Sequence, residues 1–191
     1  MEMIEIRWHG RGGQGAKTAA LLLADAVISS GKYVQAFPEY GPERRGAPVR
    51  AFNRIDEKEI RQHSPVVEPD VVVVLDPTLI ETAKVTEGLK DGGVLLVNTS
   101  ETPGELKKKY HIDSGRLYTV DASKIAVETI GLDIPNAPML GALAKVTDMF
   151  DFERMVEDLQ HKLSHKFRDR PEIVDGNIRS LKRAYEEVTE E

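Results

Sequence analysis

An α/β fold, with a mostly parallel sheet between helical layers and a helical C-terminal extension, is predicted by three features of this 191-residue chain. A short alternating strand runs into a glycine-rich turn and then an Ala/Leu-rich helix. Continuous apolar, β-branched runs bounded by turn residues recur through the middle of the chain, with helical stretches between them. The last third repeats apolar residues at spacings of three and four. Together these describe a Rossmann-like three-layer sandwich, read as a single domain over residues 1–191.

Each element has a local reason. Ile4, Ile6 and Trp8 alternate with polar neighbours, as a half-buried strand requires. The helix from Ala19 to Ile28 closes at Gly31, and Lys32 to Phe37 reads as a second strand. Tyr40 to Pro48 reads as a loop, Val49 to Ile55 as a strand returning from it, and Asp56-Glu57-Lys58 as a turn. Val71 to Leu75 and Val94 to Val97 are apolar throughout, the mark of strands covered on both faces, and Leu117 to Val120 reads as a third strand. Pro77 opens a predicted helix through about Leu89, ended by Asp91-Gly92-Gly93, and a short helix is predicted over Ala122 to Ile130. After the Pro135-Asn136-Ala137-Pro138 break, helices are expected across about 139–188. Asp151 is the cap of one, whose face carries Phe152, Val156, Leu159, Leu163 and Phe167. Pro171 opens another, whose stripe is Val174, Ile178, Leu181, Tyr185 and Val188, a core face or a seam for a neighbouring subunit.

The stretch Gly10-Arg11-Gly12-Gly13-Gln14-Gly15-Ala16-Lys17-Thr18 carries the chemistry. Strand, glycine turn and helix start in that order build an anion pocket, because backbone N–H groups come close to a ligand and the helix dipole adds positive charge. Gly10, Gly12 and Gly15 fit G-x-G-x-x-G, but a dinucleotide site also needs a carboxylate about 20 residues on, where Gln35 stands. Glu39 comes late, behind Pro38. A phosphate-binding loop needs Lys and Thr one position earlier than Lys17 and Thr18; one residue on a helix is a rotation of about 100°. Val71 to Asp76 imitates the strand that completes such a loop. A tight turn with no ligand is the third reading.

Composition excludes several classes. A net charge of −6 and a pI near 5.5, with no basic stripe interleaved with aromatics, exclude a nucleic-acid-binding module. The apolar runs are strand-sized, below the ~20 residues of a membrane span. Met1-Glu2-Met3-Ile4-Glu5 lacks the pattern of an export signal, so a cytoplasmic chain is expected. Cysteine is absent, which excludes a disulfide, a thiolate nucleophile and a Cys-ligated cluster within the chain. His161 and His165 have metal-ligand spacing but no third ligand and read as a solvated face; His63 and His111 lie in turn-like surroundings. His9 ends the first strand at the mouth of the glycine turn.

Tyr40-Gly41-Pro42-Glu43-Arg44-Arg45-Gly46-Ala47-Pro48 is the second constellation. Paired arginines on a Gly/Pro-bounded loop suit a carboxylate, a phosphate or a subunit interface, although a solvated turn has the same composition. In a parallel sheet this loop, the glycine turn, Asp76 and Asn98 share the carboxyl edge, where α/β sheets bind ligands. The candidate site is therefore His9, Gly10, Arg11, Gly12, Gly13, Gln14, Gly15, Arg44, Arg45, Asp76 and Asn98, with no catalytic or metal-ligating residue assigned.

Three motifs in order carry a resemblance: Trp8-His9-Gly10-Arg11-Gly12-Gly13-Gln14-Gly15, Ala36 to Pro48, and Pro135-Asn136-Ala137-Pro138-Met139-Leu140-Gly141-Ala142. With them the chain resembles, over nearly its whole length, the gamma subunit of 2-oxoacid:ferredoxin oxidoreductases, in particular the pyruvate synthase type, including forms sharing one gamma chain with a 2-oxoisovalerate enzyme. One departure is Ala47, which follows Gly46 where many family members carry a second glycine. The resemblance implies an assembly of alpha, beta, gamma and delta subunits that oxidatively decarboxylates a 2-oxoacid, acylates coenzyme A and reduces ferredoxin. It implies thiamine diphosphate and Mg²⁺ between alpha and beta, and [4Fe-4S] clusters on beta and delta. The gamma chain would be accessory and inactive alone, its two loops serving a coenzyme A path or a subunit interface. A free-standing nucleotide-binding enzyme of dehydrogenase or NTPase type, and a pure scaffold, are the alternatives.

Overall fold

The computed structural model describes residues 3–39, 46–147, 149 and 151–191. A seven-stranded sheet forms from β1 (Ile4–Arg11), β2 (Tyr33–Pro38), β3 (Pro48–Asp56), β4 (Val71–Val74), β5 (Val94–Asn98), β6 (Arg116–Val120) and β7 (Thr189–Glu190), in the order β2-β3-β1-β4-β5-β6-β7. β1, β4, β5 and β6 pair in parallel; β3 is antiparallel to both β1 and β2, and β7 is antiparallel to β6. Because β2 is reversed twice relative to β1, five of the seven strands run one way, as the mostly parallel reading requires. The β2–β3 hairpin places an antiparallel strand where a dinucleotide fold has its second parallel strand.

Helices cover both faces. Val71 and Val73 of β4 turn into the larger core with α1 (Ala16–Ser29), α4 (Ala122–Ile130), α5 (Asn136–Thr147), α6 (Phe152–Lys166) and α7 (Pro171–Glu187). Val72 and Val74 turn into a second core with α2 (Leu79–Thr82) and α3 (Pro103–Tyr110). This period-two split explains why β4 is apolar at every position. Trp8 anchors the larger core: its Nε1–H donates to Asn53 Oδ1 at 2.8 Å, and Asn53 Nδ2 donates to the Ala20 carbonyl at 2.9 Å. The pair ties β1, β3 and α1 together and leaves no buried polar atom of the indole or amide nitrogens open.

Three elements differ from the sequence reading. The helix predicted from Pro77 to about Leu89 is a single turn, Leu79–Thr82, after which Lys84 takes φ +44°. The buried Arg7 guanidinium donates to the carbonyls of Val85 at 2.9 Å and Glu87 at 2.5 Å, acceptors that a continuing helix would use internally. The helix Pro103–Tyr110 is absent from the sequence reading, although Thr102 and Glu105 form a capping box with proline at its start. β7 is two residues long and shows no pattern of its own. The remaining helices follow their caps: Asp151 accepts from Arg154 N at 3.1 Å, and Pro171 opens α7. The α7 stripe faces inward, with Val174, Leu181 and Ala184 buried.

Candidate functional site

The glycine turn is locked by its own side chains. Gln14 N donates to the Arg11 carbonyl at 3.0 Å, and Gln14 Oε1 accepts from Arg11 N at 2.7 Å. Gln14 Nε2 reaches Asp76 Oδ2 at 3.0 Å, and Arg11 Nε meets the same oxygen at 3.0 Å. Arg11 also donates to Thr78 Oγ1 at 2.8 Å and to the Gly46 carbonyl at 3.2 Å. Asp76 accepts from Thr78 N and Oγ1 in addition. Burial alone would raise its pKa, but hydrogen bonds from Thr78 and Gln14, with the charge of Arg11, outweigh it and hold the carboxyl below its ordinary value. Asp76 is thus a carboxylate that fixes the turn, and its oxygens are engaged by protein donors.

Gly15 makes the strand-to-helix junction possible. It sits at φ +88°, the left-handed region, as N-cap of α1, and a Cβ there would stand 3.1 Å from Asn136 Nδ2. No side chain caps α1, so the backbone donors of its first turn face whatever occupies the space before them. That space is a cavity of about 430 Å³ lined by Arg11, Gly12, Gly13, Gly15, Ala16, Lys17, Thr18, Pro38, Glu39, Val49 and Arg50. Uncapped helix donors with Lys17 suit an anion, while Arg11 in the same wall is held by Asp76 and Thr78. Glu39 lines the cavity from the end of β2, ion-paired with Arg50, whose second nitrogen lies 2.7 Å from it. Gln35 donates to the Ile60 carbonyl at 3.2 Å.

The turn residues Gly10 to Gly15 and Asp76 are brought together; His9 and Asn98 are held elsewhere. His9 is 1% exposed and accepts from Arg7 Nε at 3.0 Å. Asn98 donates to the Leu75 carbonyl at 2.9 Å and to Ser123 Oγ at 3.0 Å, and accepts from Ser123 N at 3.0 Å, a clamp between β5 and α4. Arg44 and Arg45 lie outside the described residues; Gly46, next to them, donates to the Gly12 carbonyl at 3.1 Å. Thr78 and Arg50 were missed, and only the pairing of β1 with β3 and the turn after β4 bring them in. The His161 and His165 rings are 4.6 Å apart, edge to face. Among the described residues no cluster of three or more His, Cys, Asp or Glu side chains could hold a metal ion, and no helix is long and apolar enough to cross a membrane.

Burial first, then the charges of Arg7 and Arg50, push the His9 pKa down to about 3. The unfolded chain takes up this proton near pH ~6.5 and the folded chain only near the lower value, so the unfolded state binds more protons in between. Stability therefore falls as pH falls through that window, by up to about 1.4 kcal/mol per pH unit. Urea melts between about pH 6.5 and 5, above most carboxylate titrations, should show this slope and lose it in His9→Gln. An unchanged slope in the variant would assign it to other groups.

An α/β sheet with a glycine turn and an adjoining cavity at one edge defines the class as an α/β protein with a candidate anion site. The chain belongs to the pyruvate ferredoxin/flavodoxin oxidoreductase family, which it matches over residues 5–187, and within it is a gamma-type subunit. It is 51% identical over 184 residues to pyruvate synthase subunit PorC of Thermotoga maritima, covering 96% of this chain and 94% of that one. It is 50% identical over 186 residues to the pyruvate/ketoisovalerate oxidoreductases common subunit gamma of Thermococcus litoralis, covering 97% of each. The crystal structure of the Thermotoga maritima PORC subunit superposes with a TM-score of 0.84 at 48% identity, covering 99% of this chain and 98% of that one. The gamma subunit of a keto/oxoacid ferredoxin oxidoreductase from Geobacter sulfurreducens superposes at 0.73 with 25% identity, covering 96% of each. The resemblance carried by the three motifs is borne out.

Proposed function

We propose that this chain is the accessory gamma component of an assembly with alpha, beta and delta subunits that oxidatively decarboxylates pyruvate in the cytoplasm. Coenzyme A is acylated to acetyl-CoA, carbon dioxide leaves, and the electrons pass to ferredoxin. Thiamine diphosphate with Mg²⁺ and the [4Fe-4S] clusters belong to the partner chains; this chain has no thiolate to ligate iron. Relatives named for both pyruvate and ketoisovalerate support a second branched 2-oxoacid substrate for the same gamma chain.

The observation that carries the role of this chain is the locked glycine turn before an uncapped helix, opening on a cavity with Arg11 and Lys17 in its wall. Coenzyme A presents phosphates that such a helix start can bind, and Arg44 and Arg45 follow the wall residue Glu39 within six positions of the sequence. A second reading, in which this wall seats a partner subunit, is favoured by the Glu39–Arg50 pair already occupying part of it. Arg44→Ala with Arg45→Ala in the assembled enzyme separates the two. Each lost charge-assisted contact costs about 1.5–3 kcal/mol of binding, a rise of roughly tenfold or more per contact. A raised KM for coenzyme A with intact assembly supports the ligand role, and loss of this chain from the complex on gel filtration supports the interface role. Normal assembly with unchanged coenzyme A dependence overturns both.

A further inference from the structure

A second, larger concavity lies on the helical face, where α1, the segment after α4, the end of α6 and the start of α7 meet. Its volume is about 600 Å³. Leu22, Ile134, Leu163 and Ile173 form an apolar floor. Leu21 and Leu132, in its walls, are 47% and 57% exposed. Side chains of this size left open in one concave patch mark a surface made to be covered.

The charge around the floor runs against that of the chain. Net charge overall is −6, yet the groove is edged by Lys162, Lys166 and Arg170, with Asp25 as its one carboxylate. Asp25 is held by Lys162 at 3.0 Å. Lys166 and Arg170 lie over the ring of Phe167, at 5.4 and 6.0 Å from its centroid, and form no ion pair among the described residues. Two cations are thus held beside an apolar trough with their charge open.

We infer that this groove docks an amphipathic segment of a different subunit of the assembly, with apolar side chains set between Leu21 and Leu132 and carboxylates facing Lys166 and Arg170. The chemistry is that of a helix or strap laid in a groove: apolar anchors supply contact, and flanking charges set register and partner choice. A second copy of this chain fits poorly. A two-fold contact centred on the groove would set Lys166 and Arg170 of one copy near those of the other. The inference rests on membership of a multi-subunit family and is independent of what the glycine-turn cavity binds.

The test uses the intact assembly, purified through a tag on this chain, with a photo-crosslinking amino acid replacing Leu132. The expected product joins this chain to another subunit at a segment carrying Asp or Glu within about one helical turn. Lys166→Glu with Arg170→Glu should lower the fraction of this chain eluting with its partners at least fivefold at low salt. Lys166→Arg should leave it unchanged. Neither substitution should move the melting temperature of the full chain alone, since both side chains are exposed. A crosslink only to a second copy, no crosslink, or full retention of the charge-reversed chain would overturn the proposal. Unchanged coenzyme A dependence in the charge-reversed enzyme that still assembles at high protein concentration keeps this result apart from the cavity's role.

Discussion

Gly141→Ala should destabilise the chain by about 3 kcal/mol, the upper part of the range for overpacking a close-packed interior. A Cβ at Gly141 would stand 1.9 Å from the Leu181 carbonyl oxygen and 2.8 Å from its carbon. Both are backbone atoms of α7, so no rotamer change relieves the overlap and the two helices must separate. The residue is helical, and alanine is the better helix former there, so local propensity works in the opposite direction. The effect is therefore a clean reading of helix–helix contact. Gly104, in α3, is the control: nothing lies within 4 Å of its added Cβ. Gly104→Ala should be neutral or stabilising by about 0.5–1 kcal/mol. Urea melts of the two variants suffice; equal midpoints would show that α5 and α7 are not held at this distance in solution.

Glu5→Ala should cost about 3–5 kcal/mol, because it strands a buried cation. Arg54 is 0% exposed, and its Nε donates to Glu5 Oε1 at 2.7 Å. Its remaining donors reach the carbonyls of Gln62 at 3.4 Å and Ser64 at 2.5 Å, and its guanidinium lies 5.4 Å from the centre of the Phe37 ring. Arg54 thereby fastens the β2–β3 hairpin to β1 and to the crossing segment that leads to β4. Glu5→Gln keeps an acceptor of the same reach without the charge and should lose less than the alanine variant. Arg54→Met with Glu5→Leu, which removes both charges, should recover part of the loss. If Glu5→Gln melts like the unsubstituted chain, the carboxylate charge contributes nothing and the pair acts as a hydrogen bond alone.

Both predictions depend on contacts between residues far apart in the chain, and so do the parts of the fold that escaped the sequence. The glycine turn was legible because strand, turn and helix start are contiguous there and left-handed φ at Gly15 has a residue signature. The capping box Thr102–Glu105 is a local signal of the same kind. Pro77 to Leu89 has helical composition, yet Arg7, some 78 residues upstream of Val85, needs carbonyls that a helix would not release. Alternation along β1 separates Ile6 and Trp8 from Arg7 and His9, so the burial of His9 beside Arg7 could have been read from the period of two. Asn98 gave no such signal, because Ser123 and the Leu75 carbonyl that satisfy it arrive from other elements.

The sequence by itself determined most of the strand, turn and helix units, the cap at Asp151 and the helix start at Pro171, the absence of thiolate chemistry and, through three ordered motifs, the family. These follow from short-range rules: backbone freedom at glycine, hydrogen bonding at helix ends and the periods of apolar side chains. Only the tertiary structure decided that β3 lies between β1 and β2, that Asp76 holds the turn through Arg11 and Gln14, and that a cationic rim borders an apolar groove built from four separate segments. Each of these requires side chains tens of residues apart to meet. That encounter is set by how the whole sheet and its helical layers exclude water, and no local stretch of sequence records it.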